Sequence, residues 1–292
     1  MINKEVGLIK VVPNLRKNFK TSWGMRAINA PLFWEKFGVK GEGVKVALID
    51  TGIDDQHPDL THSIKLGINM FEKSRNIKDE SGHGTHVAGL IAGQKTGVAP
   101  NVELYIAKVL DDKGLGSMGS VLDGITFAIN QNVDILCMSL GIQREIPVML
   151  QERIMRAYEA GIIIVCATGN QGLYDVEYPA RMDEVIGVGG IDKKFNRASF
   201  SNYGKGMDVV APAVDIISTH KDQNYAVMSG TSMASPLVAG GLALVLSYFK
   251  QQGVDLKAKD VKEMIKKLGK FHYDYGYGVF DVMKLMKIAL EK

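Results

Sequence analysis

The chain has 292 residues, 46% of them hydrophobic and 23% charged, enough to bury a large core in one big domain or two small ones. A net charge of +3 is too small to argue for a nucleic-acid partner, and 32 glycines without a collagen-like period indicate a turn-rich globular chain. No segment approaches an uninterrupted membrane span, and the start at Met1 carries no apolar core of signal-peptide length, so a soluble cytoplasmic protein is expected. Cys137 and Cys166 lie inside apolar runs and read as buried free thiols.

Residues 1–22 read as an N-terminal extension, with a strand signal at 7–12, a turn at Pro13-Asn14 and a basic stretch at 16–20. Residues 23–292 read as one domain, with no internal repeat and no low-complexity linker. A short helix is expected within 23–36, starting near Ala30-Pro31. Strand and helix patterns then alternate. Strands are predicted at 44–49, 102–109, 133–139, 161–167 and 185–189, and helices at 84–93, 119–130 and 148–159. The apolar run 237–246 is long enough for a buried helix, and the lysines of 257–270 read as the wet face of an amphipathic one. The fold class is therefore α/β, a mainly parallel sheet between helices. In such sheets ligands gather at the carboxyl ends of the strands, where Asp50, Ser139-Leu140-Gly141 and Gly169-Asn170 fall.

The chemistry-bearing residues cluster at these ends. Ser232, in GTSMASP at 230–236, should sit at the mouth of the 237–246 helix, where unpaired N–H groups and the dipole favour an anion. Pro236 is compatible only with the first turn of that helix. His83 opens a small-residue helix (HGTHVAG, 83–89), and Asp50 ends a strand (VALIDTG, 46–52). Acid, histidine and serine are the parts of a hydrolase triad, and Asn170 adds a neutral oxyanion donor. Singly, each has a plain structural reading: turn acid, helix-start histidine, N-cap serine, left-handed asparagine beside Gly169.

Over roughly residues 23–285 the chain resembles the subtilisin family of serine proteases, on VALIDTG, HGTHVAG and GTSMASP in that order. The resemblance implies the three-layer subtilisin fold and a serine endopeptidase with Asp50, His83 and Ser232 as the triad and Asn170 in the oxyanion hole. It implies protein or peptide substrates, with Gly114-Leu115-Gly116 and Ser139-Leu140-Gly141 as backbone edges pairing with an extended chain. Ala167-Thr168-Gly169 would complete the primary pocket, and Glu177, ahead of Tyr178-Pro179, would close it. Within the family the chain is most similar to the intracellular branch. This implies that residues 1 to about 20 act as a plug that keeps a zymogen silent, and it leaves a homodimer open. Leu237 stands where the family usually has histidine.

No cofactor is expected for catalysis. Calcium is possible as a structural ion, but the family's tight site looks incomplete: Asp59 is present, while the loop at 94–96 offers no acid and no asparagine. Glu177, with Asp175 as a second charge, predicts a preference for Lys or Arg before the scissile bond; Arg181 could neutralise it, and a broad apolar pocket is the alternative. Two other readings are a metal site on His57, His62, His83 and His86, for which no zinc spacing is complete, and a catalytically silent binding module.

Overall fold

The computed structural model describes residues 10–12, 21–143 and 145–291. Its centre is a parallel sheet. In chain order the strands are β2 (Lys45–Asp50), β3 (Ile64–Asn69), β4 (Glu103–Lys108), β5 (Ile135–Met138), β6 (Ile163–Ala167), β7 (Val185–Ile191) and β8 (Val209–Pro212). They lie side by side as β3-β4-β2-β5-β6-β7-β8. The near-continuous apolar runs report burial on both faces. Along β2, Val46 and Leu48 enter one core while Ala47 and Ile49 enter the other; β5 divides Ile135 and Cys137 from Leu136 and Met138 in the same way.

Helices α3 (His83–Ala92) and α6 (Thr231–Gln251) pack together on the first face, and α4 (Met118–Asn130) and α5 (Val148–Glu159) cover the second. This is the three-layer arrangement the resemblance implied. The helix expected within 23–36 is two, α1 (Trp23–Ala27) and α2 (Ala30–Phe37), with Pro31 in the first turn of α2. The short strand expected at 7–12 is described at β1 (Lys10–Val12), with 7–9 outside the described residues; it adds antiparallel to β10 (Asn224–Met228), which pairs with β9 (Ile216–His220). This small sheet lies on α3: Ser218 Oγ donates to His86 O at 2.8 Å and Thr219 Oγ1 to Thr85 O at 2.7 Å.

Three expectations need correction. α6 has 21 residues and is apolar and long enough to cross a membrane by length and composition, so a span-length segment does exist. It is nevertheless the buried core helix of this domain. Pro236 is its sixth residue, beyond the first turn. The proline removes the N–H that would bond Ser232 O, and the Ser139 hydroxyl fills the gap, donating to Ser232 O at 3.2 Å. Finally, the lysines of the C-terminal helix α7 (Ala258–Lys266) are not all on a wet face. Lys262 is buried, 2.8 Å from Oδ2 of Asp208, the residue before β8, and also donates to Val185 O. The last helix, α8 (Val282–Leu290), is capped by the Asp281 carboxylate.

Candidate active site

β2 ends at Asp50, and α3 begins at His83 directly against that end. The approach is close because both sides are glycine: a Cβ on Gly84 would fall 2.1 Å from Gly52 O. Asp50 Oδ1 lies 2.7 Å from His83 Nδ1 and accepts the Thr51 N–H at 2.7 Å. Both side chains are shielded, Asp50 at 0% and His83 at 1% exposure. A buried carboxylate on Nδ1 fixes the imidazole as the Nδ1–H tautomer and leaves Nε2 as the basic nitrogen.

Ser232 is the second residue of α6. Its hydroxyl donates to Ser139 O at 3.4 Å, while the Ser139 hydroxyl holds Ser232 O and lies 3.0 Å from Ser235 Oγ. The end of β5 and the start of α6 thus clasp each other. Asn170, in the loop after β6, accepts the Thr231 N–H at 2.7 Å and the Thr231 hydroxyl at 3.0 Å through Oδ1. With the carbonyl end of the amide fixed at the helix start, Nδ2 is its donor end. Asn202 braces this loop, accepting Gln171 N–H and Leu173 N–H and donating to Gln171 Oε1.

Ser139-Leu140-Gly141 and Ala167-Thr168-Gly169 lie at the ends of the neighbouring strands β5 and β6. The Glu177 side chain lies between the two segments: a Cβ on Gly141 would fall 2.0 Å from Glu177 Oε2, and one on Gly169 would fall 2.7 Å from its Cδ. The backbone fixes the position, since Glu177 N–H bonds Thr168 O and Tyr178 pairs with Ile142 in both directions. Arg181 pairs with Asp175, at 2.9 Å on the surface. Asp175 is therefore not a second pocket charge, which corrects the sequence expectation. Leu115 needs a similar correction as a pairing edge. Its N–H is held by the Asp111 carboxylate at 2.8 Å and its carbonyl accepts Asp111 N–H at 2.9 Å, closing a turn. Gly114 and Gly116 flank that turn.

The histidines proposed as metal ligands are engaged by the protein. His57 bonds Asn224 O, His62 bonds Pro100 O, and His86 bonds Ile216 O and Ala226 O. Burial pulls His86 down to about 3, so it is a neutral structural ring. Among the described residues no group of three His, Cys, Asp or Glu is placed to hold a metal ion. Leu237 is buried in α6, against α1 at Gly24. Sequence reading passed over Asp79, a buried carboxylate four residues before His83; the available signal was an acid just ahead of a helix start.

Residues 41–278 match the subtilase family. The chain belongs to that family. It is 42% identical over 264 residues to the major intracellular serine protease of Bacillus subtilis (strain 168), covering 85% of this chain and 82% of that protein. Subtilisin Savinase of Lederbergia lenta is 42% identical over 228 residues, with 76% and 83% covered. The intracellular serine protease of Paenibacillus polymyxa is 43% identical over 236 residues, with 76% and 72% covered. This subtilase is a serine endopeptidase, its substrates are proteins or peptides, and the family's catalysis needs no cofactor. The silent binding module is set aside.

Proposed function

We propose that this subtilase cleaves through an acyl-enzyme on Ser232, with His83 as general base and then general acid, and Asp50 orienting it. The observation that carries this reading is the buried 2.7 Å contact between Asp50 Oδ1 and His83 Nδ1 at the sheet edge where α6 presents Ser232. As Ser232 Oγ attacks the peptide carbonyl, His83 takes its proton and later gives it to the leaving amine. The oxyanion forms against the Ser232 N–H and Asn170 Nδ2. Substrate lies extended against Gly114 and Gly116 on one side and Ser139–Gly141 on the other, its leading side chain in the primary pocket closed by Glu177. A carboxylate there favours Lys or Arg before the scissile bond. A fluorophosphonate probe tests the assignment: it should label Ser232, and Ser232→Ala should not react.

The same reading extends beyond the site. Residues 1–22 form a regulatory extension of the 23–292 peptidase domain. β1 supports this: it runs antiparallel to β10, with Lys10 opposite Val227, near the end of β10 that continues, four residues on, to Ser232. The tight calcium site of the family does not fit this chain. Asp59 is buried, its carboxylate accepts Lys95 N–H at 3.1 Å, and its carbonyl accepts Gln94 N–H, so protein donors occupy the place of an ion. Calcium needs six to eight oxygens, and this loop supplies too few. A cytoplasmic location follows the relatives named intracellular. A homodimer remains part of the proposal, to be read by sedimentation.

A further inference from the structure

His83 must become a cation during turnover, yet it is the first residue of a helix. That end of a helix carries roughly half a positive charge, which disfavours an imidazolium. A second buried carboxylate meets this difficulty. Asp79 is 2% exposed and accepts five hydrogen bonds. Oδ1 takes Gly82 N–H at 2.8 Å, Ser81 N–H at 3.1 Å and the Thr51 hydroxyl at 2.8 Å. Oδ2 takes Thr85 N–H at 2.8 Å and its hydroxyl at 2.6 Å. Burial pushes the Asp79 carboxyl up, but the hydrogen bonds, led by Thr85, outweigh it and hold the group below the ordinary carboxylate range. Asp79 is therefore an anion seated on the first turn of α3.

Thr51 links this anion to the reacting pair. Its hydroxyl donates to Asp79 and accepts Gly84 N–H at 2.9 Å, and its N–H bonds the same Asp50 oxygen that holds His83. Among the described residues, charged and titratable groups reach the His83 neighbourhood from several elements. β2 brings Asp50, and the turn before α3 brings Asp79. β4 brings Lys108, whose ammonium donates to Thr51 O at 2.6 Å, and α3 itself brings neutral His86. β9 brings His220, whose ring lies against Gly82. Asp79 is the anion hydrogen-bonded to the start of α3.

We propose that Asp79 is a positioning residue of this active site, which locks the start of α3 to the end of β2 through Thr51 and supplies the negative charge that permits an imidazolium at His83. The proposal rests on His83 being the general base. Asp79→Asn keeps the shape, removes the charge and puts an amide among donors. It should lower kcat at least tenfold while KM stays within about twofold, and it should move the acid limb of kcat/KM down by about one pH unit. Thr51→Val retains the charge and cuts the link, so it should lower kcat without moving that limb. Both are measured on the full chain, with the folded fraction read by near-ultraviolet circular dichroism. An Asp79→Asn protein that is folded, with kcat and the acid limb both unchanged, overturns the proposal. If Asp79→Asn does not fold, Thr51→Val decides: a wild-type kcat overturns it. Failure of the underlying reading is distinct, because native protein would then not label with fluorophosphonate at Ser232.

Discussion

Replacing Glu177 by Ser should collapse a preference for basic residues before the scissile bond. The Glu177 carboxylate is wedged between Gly141 and Gly169. A substrate Lys or Arg entering the primary pocket would bring its charge to about 4 Å from the carboxylate. At that distance the attraction is about 1 kcal/mol in a water-like dielectric and about 4 kcal/mol at the effective dielectric of a protein surface. Glu177 is half-buried, between these limits, so a preference for Lys over Phe of roughly tenfold or more is expected. The assay compares kcat/KM for peptides that differ only in Lys, Phe or Glu before the bond, in native protein and in Glu177→Ser. The variant should lose most of the Lys-to-Phe ratio and regain Glu cleavage. Raising salt should erode the native preference, because the Debye length falls from about 10 Å at 0.1 M to about 3 Å at 1 M. An unchanged Lys-to-Phe ratio in Glu177→Ser would refute the reasoning.

Ser232→Ala should retain only residual hydrolysis, since the oxyanion donors and the cleft remain; near-normal turnover would remove Ser232 from its role. Asn170→Leu should lower kcat by an amount equivalent to about 3 kcal/mol, the general figure for an oxyanion-hole donor of which a subtilisin asparagine is the worked example. A protein starting at Thr21 should show no activation lag, whereas the full chain should show one together with N-terminal self-cleavage; equal initial rates without cleavage would defeat the plug. A chelator should change the melting temperature by a few degrees at most, and a drop of tens of degrees would reveal a tight structural ion. Acid stability should also report Asp79. Its folded pKa is depressed, so its contribution is present above the ordinary aspartate value of about 3.9 and is lost as pH falls through the folded value. Acid titration of Asp79→Asn should be correspondingly flatter in that window.

The sequence by itself determined the fold class and the family. Apolar runs such as 162–165 fit strands buried on both faces, and their alternation with helical periods implied a parallel sheet. Asp50, His83 and Ser232 could be proposed because each sits at or next to an element boundary within a long motif, and boundaries are written locally in turn and cap chemistry. Tertiary structure decided what depends on partners distant in the chain. The place of Glu177 between Gly141 and Gly169 depends on packing of segments far apart in the chain and could not be read locally. Lys262 follows the period of an exposed helix face, yet the place of α7 against β7 and β8 buries it on Asp208. Pro236 breaks the backbone ladder of α6, and its repair comes from Ser139, 93 residues before the serine whose carbonyl it holds. Local periodicity reports burial and turns; the partner of a buried polar group is fixed only when the sheet brings remote segments into hydrogen-bond range.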